Sequence, residues 1–206
     1  MKQKRSKHLM DARWAAKSGG ATDSGSLTGL LASYGTIDHD GEVIRAGCFA
    51  QSLQKMLAAG GIPLMKRHFA DGGDGDECIG TIIKAHEDAS GLMIDEAVFS
   101  SDPDAQKIRT RIIEKHIRGL SVGFYPGSYE VRPPQNDSEK AILARICRTE
   151  VVEWVECELA EGTVTVRPCN ELAGIDGAKR RDRGDWPRRA AMEQKARILR
   201  LALLEV

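Results

Sequence analysis

Covalent chemistry in this chain would have to rest on a few side chains, and "HIRGLSVGF", His116 to Phe124, holds the first of them. Ser121 follows a helix-like run and opens an apolar, strand-like one. A serine is a weak nucleophile at neutral pH. It needs a base, a group that orients the base, and donors for the oxyanion. Two further segments offer the residue types. "IPLMKRH" delivers His68 at the end of a short apolar run, and "ELAEGTVTVRPCN" places Glu161 before a β-rich stretch. Imidazole titrates near pH ~6.5, so it can take a hydroxyl proton and return it to a leaving amine. A carboxylate can fix the tautomer of such a ring and stabilise its cation. Taken singly, each residue has a plainer reading: a strand serine, a turn histidine, a solvent-facing glutamate.

The totals narrow the function classes. The chain has 206 residues with 30 Lys+Arg and 30 Asp+Glu, so its formal charge is zero. That balance, with only 5% aromatic residues, argues against nucleic acid as a partner. The basic, polar start is unlike a signal peptide, and no window reaches the length of a membrane span. Cys48, Cys78, Cys147, Cys157 and Cys169 have neither CxxC nor metal-type spacing. They read as reduced thiols, small and apolar in use. The acidic stretch Asp71, Asp74, Asp76, Glu77 lacks the spacing and terminal glutamate of a calcium loop. The reading calls for no cofactor and no metal.

The elements that must position these residues alternate strand and helix. "LTGLLASYGTID" predicts a first strand, and "DHDGEV" a turn closing a hairpin. From Gly47, Phe49, Leu53, Met56 and Leu57 share a helical face, and Gly60-Gly61 ends it. "CIGTIIKAHED" and "SGLMIDEAVF" predict two strands joined by a turn. The clearest helix opens with Asp102 as N-cap and Pro103 at the first position; Gly119 is its expected stop. "LSVGFYPGSYEV" predicts a strand and "RPPQNDSEK" a loop. The run from Ala141 to Val166 predicts two or three strands. Residues 1–26 read as a disordered polar tail and 27–175 as one domain. Residues 176–206 read as a charged linker and a C-terminal helix with Met192, Ala196, Leu199 and Leu203 on one face.

Five segments, in order, resemble the prohead (capsid maturation) serine proteases of tailed bacteriophages. They are "GEVIRAGCF", "IPLMKRH", "IGTIIKAHEDASGLMIDEAVF", "IRGLSVGF" and "ELAEGTVTVRPCN", and the resemblance spans roughly Ile37 to Ala173. It implies an α+β fold related to the herpesvirus assembly proteases: a β-barrel-like core of mostly antiparallel strands surrounded by helices. It also implies Ser121 as nucleophile, His68 as general base and Glu161 as the acid that orients the base. The herpesvirus enzymes use a second histidine in that last role, for which His39, His86 and His116 are the candidates here. Only Glu161 lies in a block that matches the family. The oxyanion would fall to backbone amides near Ser121-Val122-Gly123, or to an arginine.

The family further implies an endopeptidase that cleaves scaffold or major capsid protein, and itself, within the assembling procapsid in the host cytoplasm. A homodimer and a prophage-encoded origin belong to the same set of expectations. The rival expectation is a catalytically inactive, protease-like module for scaffold or capsid interaction. The sequence departs from the family pattern in three places. Gly162 and Thr163 replace the usual Val-Ser, Cys169 replaces the alanine before Asn170, and Ala70 to Glu77 lengthens the loop after His68.

Overall fold

The computed structural model describes residues 10–12, 26–73 and 75–178. The expected polar tail and the linker with its C-terminal helix therefore lie outside the described residues, apart from 10–12, 26 and 176–178. In chain order the elements are β1 (Met10–Ala12), β2 (Leu27–Ser33), β3 (Glu42–Ile44), α1 (Ala50–Ala59) and β4 (Ile62–Met65). They continue with β5 (Cys78–Glu87), β6 (Gly91–Phe99), α2 (Pro103–Ile113), β7 (Gly119–Arg132), α3 (Asp137–Arg145), β8 (Val151–Thr165) and β9 (Gly174–Ala178).

Seven strands close a barrel in the order β7-β9-β2-β6-β5-β4-β8, with β8 returning to pair with β7. The barrel is mixed, because β4 runs parallel to β8 while its other neighbours pair antiparallel. β3 adds to β8 in parallel, and β1 adds to β7 antiparallel with Asp11 opposite Ser121. Closure leaves few open sheet edges. Leu27, Leu31, Ile62, Leu64, Ile82 and Leu120 are fully buried and fill the interior. No helix among the described residues is long and apolar enough to cross a membrane.

Several local expectations hold. α1 presents Phe49 and Leu53 to the core and ends at Gly60 in the left-handed conformation. Asp102 caps α2 by accepting from the Ala105 amide, with Pro103 as the first helical residue. Others are corrected. β3 forms no hairpin with β2; it crosses to β8 instead, so "DHDGEV" turns the chain toward a distant partner. Gly119 does not stop α2. The helix ends at Ile113, with Lys115 at positive φ, and Gly119 opens β7. "RPPQNDSEK" is not all loop, and "AILAR" is not strand: both contribute to α3. Asn136 caps that helix by accepting from the Glu139 amide. Glu139 then takes both guanidinium Nη atoms of Arg132 at 2.9 and 3.0 Å. That bond holds its carboxyl below the usual carboxylate range and overrides the β-branched signal that follows. The remainder of the segment is one 15-residue strand, β8, not two or three.

Such a long strand needs partners on both sides. β7 covers one edge along its whole length. The other edge is served in three stretches. β3 pairs with Val152–Trp154, and β4 with Gly162 and Thr163. Between them the Cys157 amide donates to the Cys48 carbonyl at 3.0 Å, and Ser52 Oγ bridges the Cys157 carbonyl and the Leu159 amide.

In the turn before β3, Asp38 is buried and accepts from the Asp40 and Glu42 amides at 2.9 and 2.8 Å. Burial pushes its carboxyl up to about 8, with the Glu42 and Asp40 charges adding to the rise. The folded protein thus keeps a proton that the unfolded chain releases near the ordinary carboxylate pKa. Stability from this group is complete below that pKa and is lost as pH rises through about 8. Between about pH 5 and about pH 8.5 the melting temperature should fall more for the wild type than for Asp38→Asn, which has no proton to lose there. Parallel melting curves for the two proteins would show that Asp38 is already charged at the lower pH.

Candidate active site

Three strands meet in one row: Met65 of β4 lies beside Thr163 of β8, which lies beside Ser121 of β7. Directly opposed residues share a face of the sheet, as do residues two apart in a strand. Ser121, Gly123, Thr163 and Glu161 therefore stand on one face. Glu161 reaches it through an irregularity. Phe124 pairs with Leu159 and Gly123 with Glu161, so Ala160 is an extra residue. Without that bulge Glu161 would share the face of Leu159, two residues earlier. With it, Leu159 goes to the Phe124 face and Glu161 to the serine face. Glu156 and Glu158, earlier in β8, are exposed.

His68 arrives from β4. The chain turns at Lys66-Arg67, His68 stays extended, and a single 3-10 turn, Phe69–Asp71, follows. The ring then spans the serine and the glutamate. Ser121 Oγ lies 2.6 Å from His68 Nε2, and Glu161 Oε1 lies 2.7 Å from Nδ1. All three residues are buried, Glu161 at 1% exposure. An ionised carboxylate at that depth costs several kcal/mol unless it is paired and hydrogen-bonded. Here it has the imidazole, and the Phe69 amide donates to both of its oxygens at 3.2 Å. Thr163 Oγ1 completes the shell, 3.1 Å from His68 Nδ1 and 3.5 Å from Glu161 Oε1.

The geometry meets each requirement set out for a reactive serine but the oxyanion donors. A carboxylate on Nδ1 holds the proton there and leaves Nε2 as an acceptor facing the hydroxyl. His39, His86 and His116 stay apart. Each faces a different carboxylate: Glu171 at 3.5 Å, Asp95 at 2.8 Å and Glu114 at 3.6 Å.

Three contributors escaped the sequence reading. The Phe69 amide carries no sequence signal at all. Thr163 was legible only as a β-compatible replacement for serine, although both residues bring a hydroxyl. Gly123 has a steric reason: a Cβ there would come within 2.4 Å of Glu161 Cγ and 2.5 Å of Oε1. Two of the other departures, Gly162 and Cys169, have local partners. Gly162 leaves room that Ile82 Cδ1 occupies, 2.7 Å from where a Cβ would stand. The Cys169 thiol donates to Asp40 Oδ2 at 3.4 Å.

Ser121, His68 and Glu161 have the residue types and contacts that a serine hydrolase uses. The family model of the caudovirus prohead serine proteases matches residues 13–183, and the chain belongs to that family. No curated protein matches the chain, and no solved structure does.

Gly123→Ala tests how tightly the row is built. The added methyl must push the Glu161 side chain aside, a shift of the order that costs about 10²-fold in rate. Labelling of Ser121 by a fluorophosphonate should slow by about that factor, with the far-UV spectrum unchanged. Undiminished labelling would mean that Glu161 does not orient the base.

Proposed function

We propose that this chain is an active serine endopeptidase of capsid maturation, with Ser121 as nucleophile, His68 as general base and Glu161 as its orienting acid. The observation that carries this reading is the unbroken contact from Ser121 Oγ through both nitrogens of His68 to Glu161. In the first half-reaction Ser121 Oγ attacks the peptide carbonyl as its proton passes to Nε2. The imidazolium, held against Glu161, gives that proton to the departing amine. In the second half, water adds to the acyl-serine by the same route in reverse, and Ser121 regains its proton.

The substrates in this reading are scaffold or major capsid protein within the procapsid, in the host cytoplasm. Self-cleavage belongs to the same proposal, as does kinship with the herpesvirus assembly proteases. An inactive, protease-like interaction module would have no need to keep a carboxylate buried behind the histidine.

Co-expression with the neighbouring major capsid protein, followed by mass measurement of the products, tests the reading. The wild type should shorten the capsid protein. Ser121→Ala should lower cleavage by ~10⁴ or more, and Glu161→Gln by ~10²–10⁴, with both variants folded. Normal processing by Ser121→Ala would sink the enzyme assignment.

A further inference from the structure

Next to the row of Met65, Thr163 and Ser121 lies a cleft of about 420 Å³. One wall is α2, whose Asp104, Lys107, Ile108 and Arg111 line it at helical spacing. The other wall is made from the ends of the segments that carry the row. Lys66 is one residue beyond Met65, Val166 is three beyond Thr163, and His116 and Ile117 precede Ser121 by five and four. All of these displacements run the same way along the barrel, since β7 is antiparallel to β4 and β8. An extended chain advances about 3.3 Å per residue. A substrate passing Ser121 in extended form reaches this cleft within about two to four residues of the scissile bond.

The charge in the cleft is unbalanced. Lys66, Lys107 and Arg111 are permanent cations, and Asp104 is the one carboxylate among the lining residues. Asp104 is shared, 3.3 Å from Lys66 Nζ and 3.4 Å from Lys107 Nζ, and the bond to Lys66 holds its carboxyl below the usual range. Glu77 reaches Lys66 at 3.6 Å, and Glu114 reaches His116 at 3.6 Å. Arg111, one turn past Lys107, has no carboxylate partner among the described residues. Ile108, Ile117 and the exposed Val166 are the apolar residues of the same lining. A guanidinium donates two parallel bonds to a carboxylate, and the apolar lining suits the methylenes that would carry one.

We propose that this cleft is a specificity subsite that receives an acidic side chain of the cleaved polypeptide, two to four residues from the scissile bond, with Arg111 as its main partner. The proposal rests on the endopeptidase reading and adds a substrate class to it. Asp104 then has a second role. By holding Lys66 and Lys107 together it keeps them on the cleft wall and leaves Arg111 to the substrate.

The test uses the full-length protein and synthetic peptides spanning the cut mapped in the co-expressed capsid protein. At each position from two to four residues on either side of the cut, a Glu, a Gln and a Lys peptide are compared. At one of these positions kcat/KM should favour Glu over Gln by about tenfold or more, and the ratio should shrink as salt is added. Arg111→Ala should bring that ratio close to one, and Arg111→Glu should reverse it in favour of Lys. Arg111 lies in the last turn of α2, where alanine and glutamate are both helix formers, and the rate at which a fluorophosphonate labels Ser121 checks that the triad is intact in each. Intact labelling with a Glu/Gln ratio that neither variant alters would overturn the subsite while leaving the protease reading in place. A wild type that the reagent does not label would overturn the protease reading, and the subsite with it.

Discussion

A charge that water cannot reach governs the architecture around Ser121. Glu161 is almost wholly buried, and a carboxylate in that position is tolerated only if every approach to it is filled by a donor. Thr163 of β8 supplies one donor, and the others come from one place. The imidazole of His68 and the amide of Phe69 are neighbours in sequence, so a single turn after β4 brings both to the carboxylate. Everything else follows from bringing that turn to that strand. β4 must run parallel to β8 to deliver its end there. β8 must carry a bulge at Ala160 to aim the acid at the serine face. β7 must have a glycine at 123 to leave the carboxylate its volume.

The interactions that hold β8 in place are correspondingly spread out. Its inner positions pack on the barrel core, and its outer edge is completed by backbone and side-chain groups of α1 and the preceding turn. Phe124 of β7 and Trp154 of β8 meet edge-on with ring centroids 5.6 Å apart, and Phe49, before α1, lies tilted against Phe124 at 5.7 Å. Trp154 also donates to Glu42 at 2.7 Å, which fixes β3 against β8.

Much of this was legible in the sequence, for stated reasons. α2 announced itself because its cap, its proline and its apolar spacing are local signals. β5 and β6 did so because alternation and a turn suffice for a hairpin. Ser121, His68 and Glu161 were found because they lie in motifs resembling a known family, and no property of the isolated residues would have joined positions so far apart. The misses have different causes. α3 was read as loop and strand although Asn136, with Glu139 three residues on, is a local capping signal. β3 was read into a hairpin because nothing local shows that its partner lies beyond residue 150. The Ala160 bulge is invisible to any periodic reading, since it is the break in the period that makes the site. The Phe69 amide is invisible altogether, since every residue but proline has one.

The separation of the contributing segments has a further consequence, for timing during synthesis. Histidine and serine are 53 residues apart, and histidine and glutamate 93. The acid sits in the last long strand of the barrel, so a ribosome has made nearly the whole domain before the set can exist. Pairings between such distant segments also form late and slowly compared with helices and hairpins. A nascent or nicked chain that lacks β8 has a serine and a histidine but nothing to hold the ring in register. For a protein built alongside the polypeptides it would cut, the topology thus acts as a delay. The proposed catalyst is switched on by completing its own fold, with no separate inhibitor required during translation.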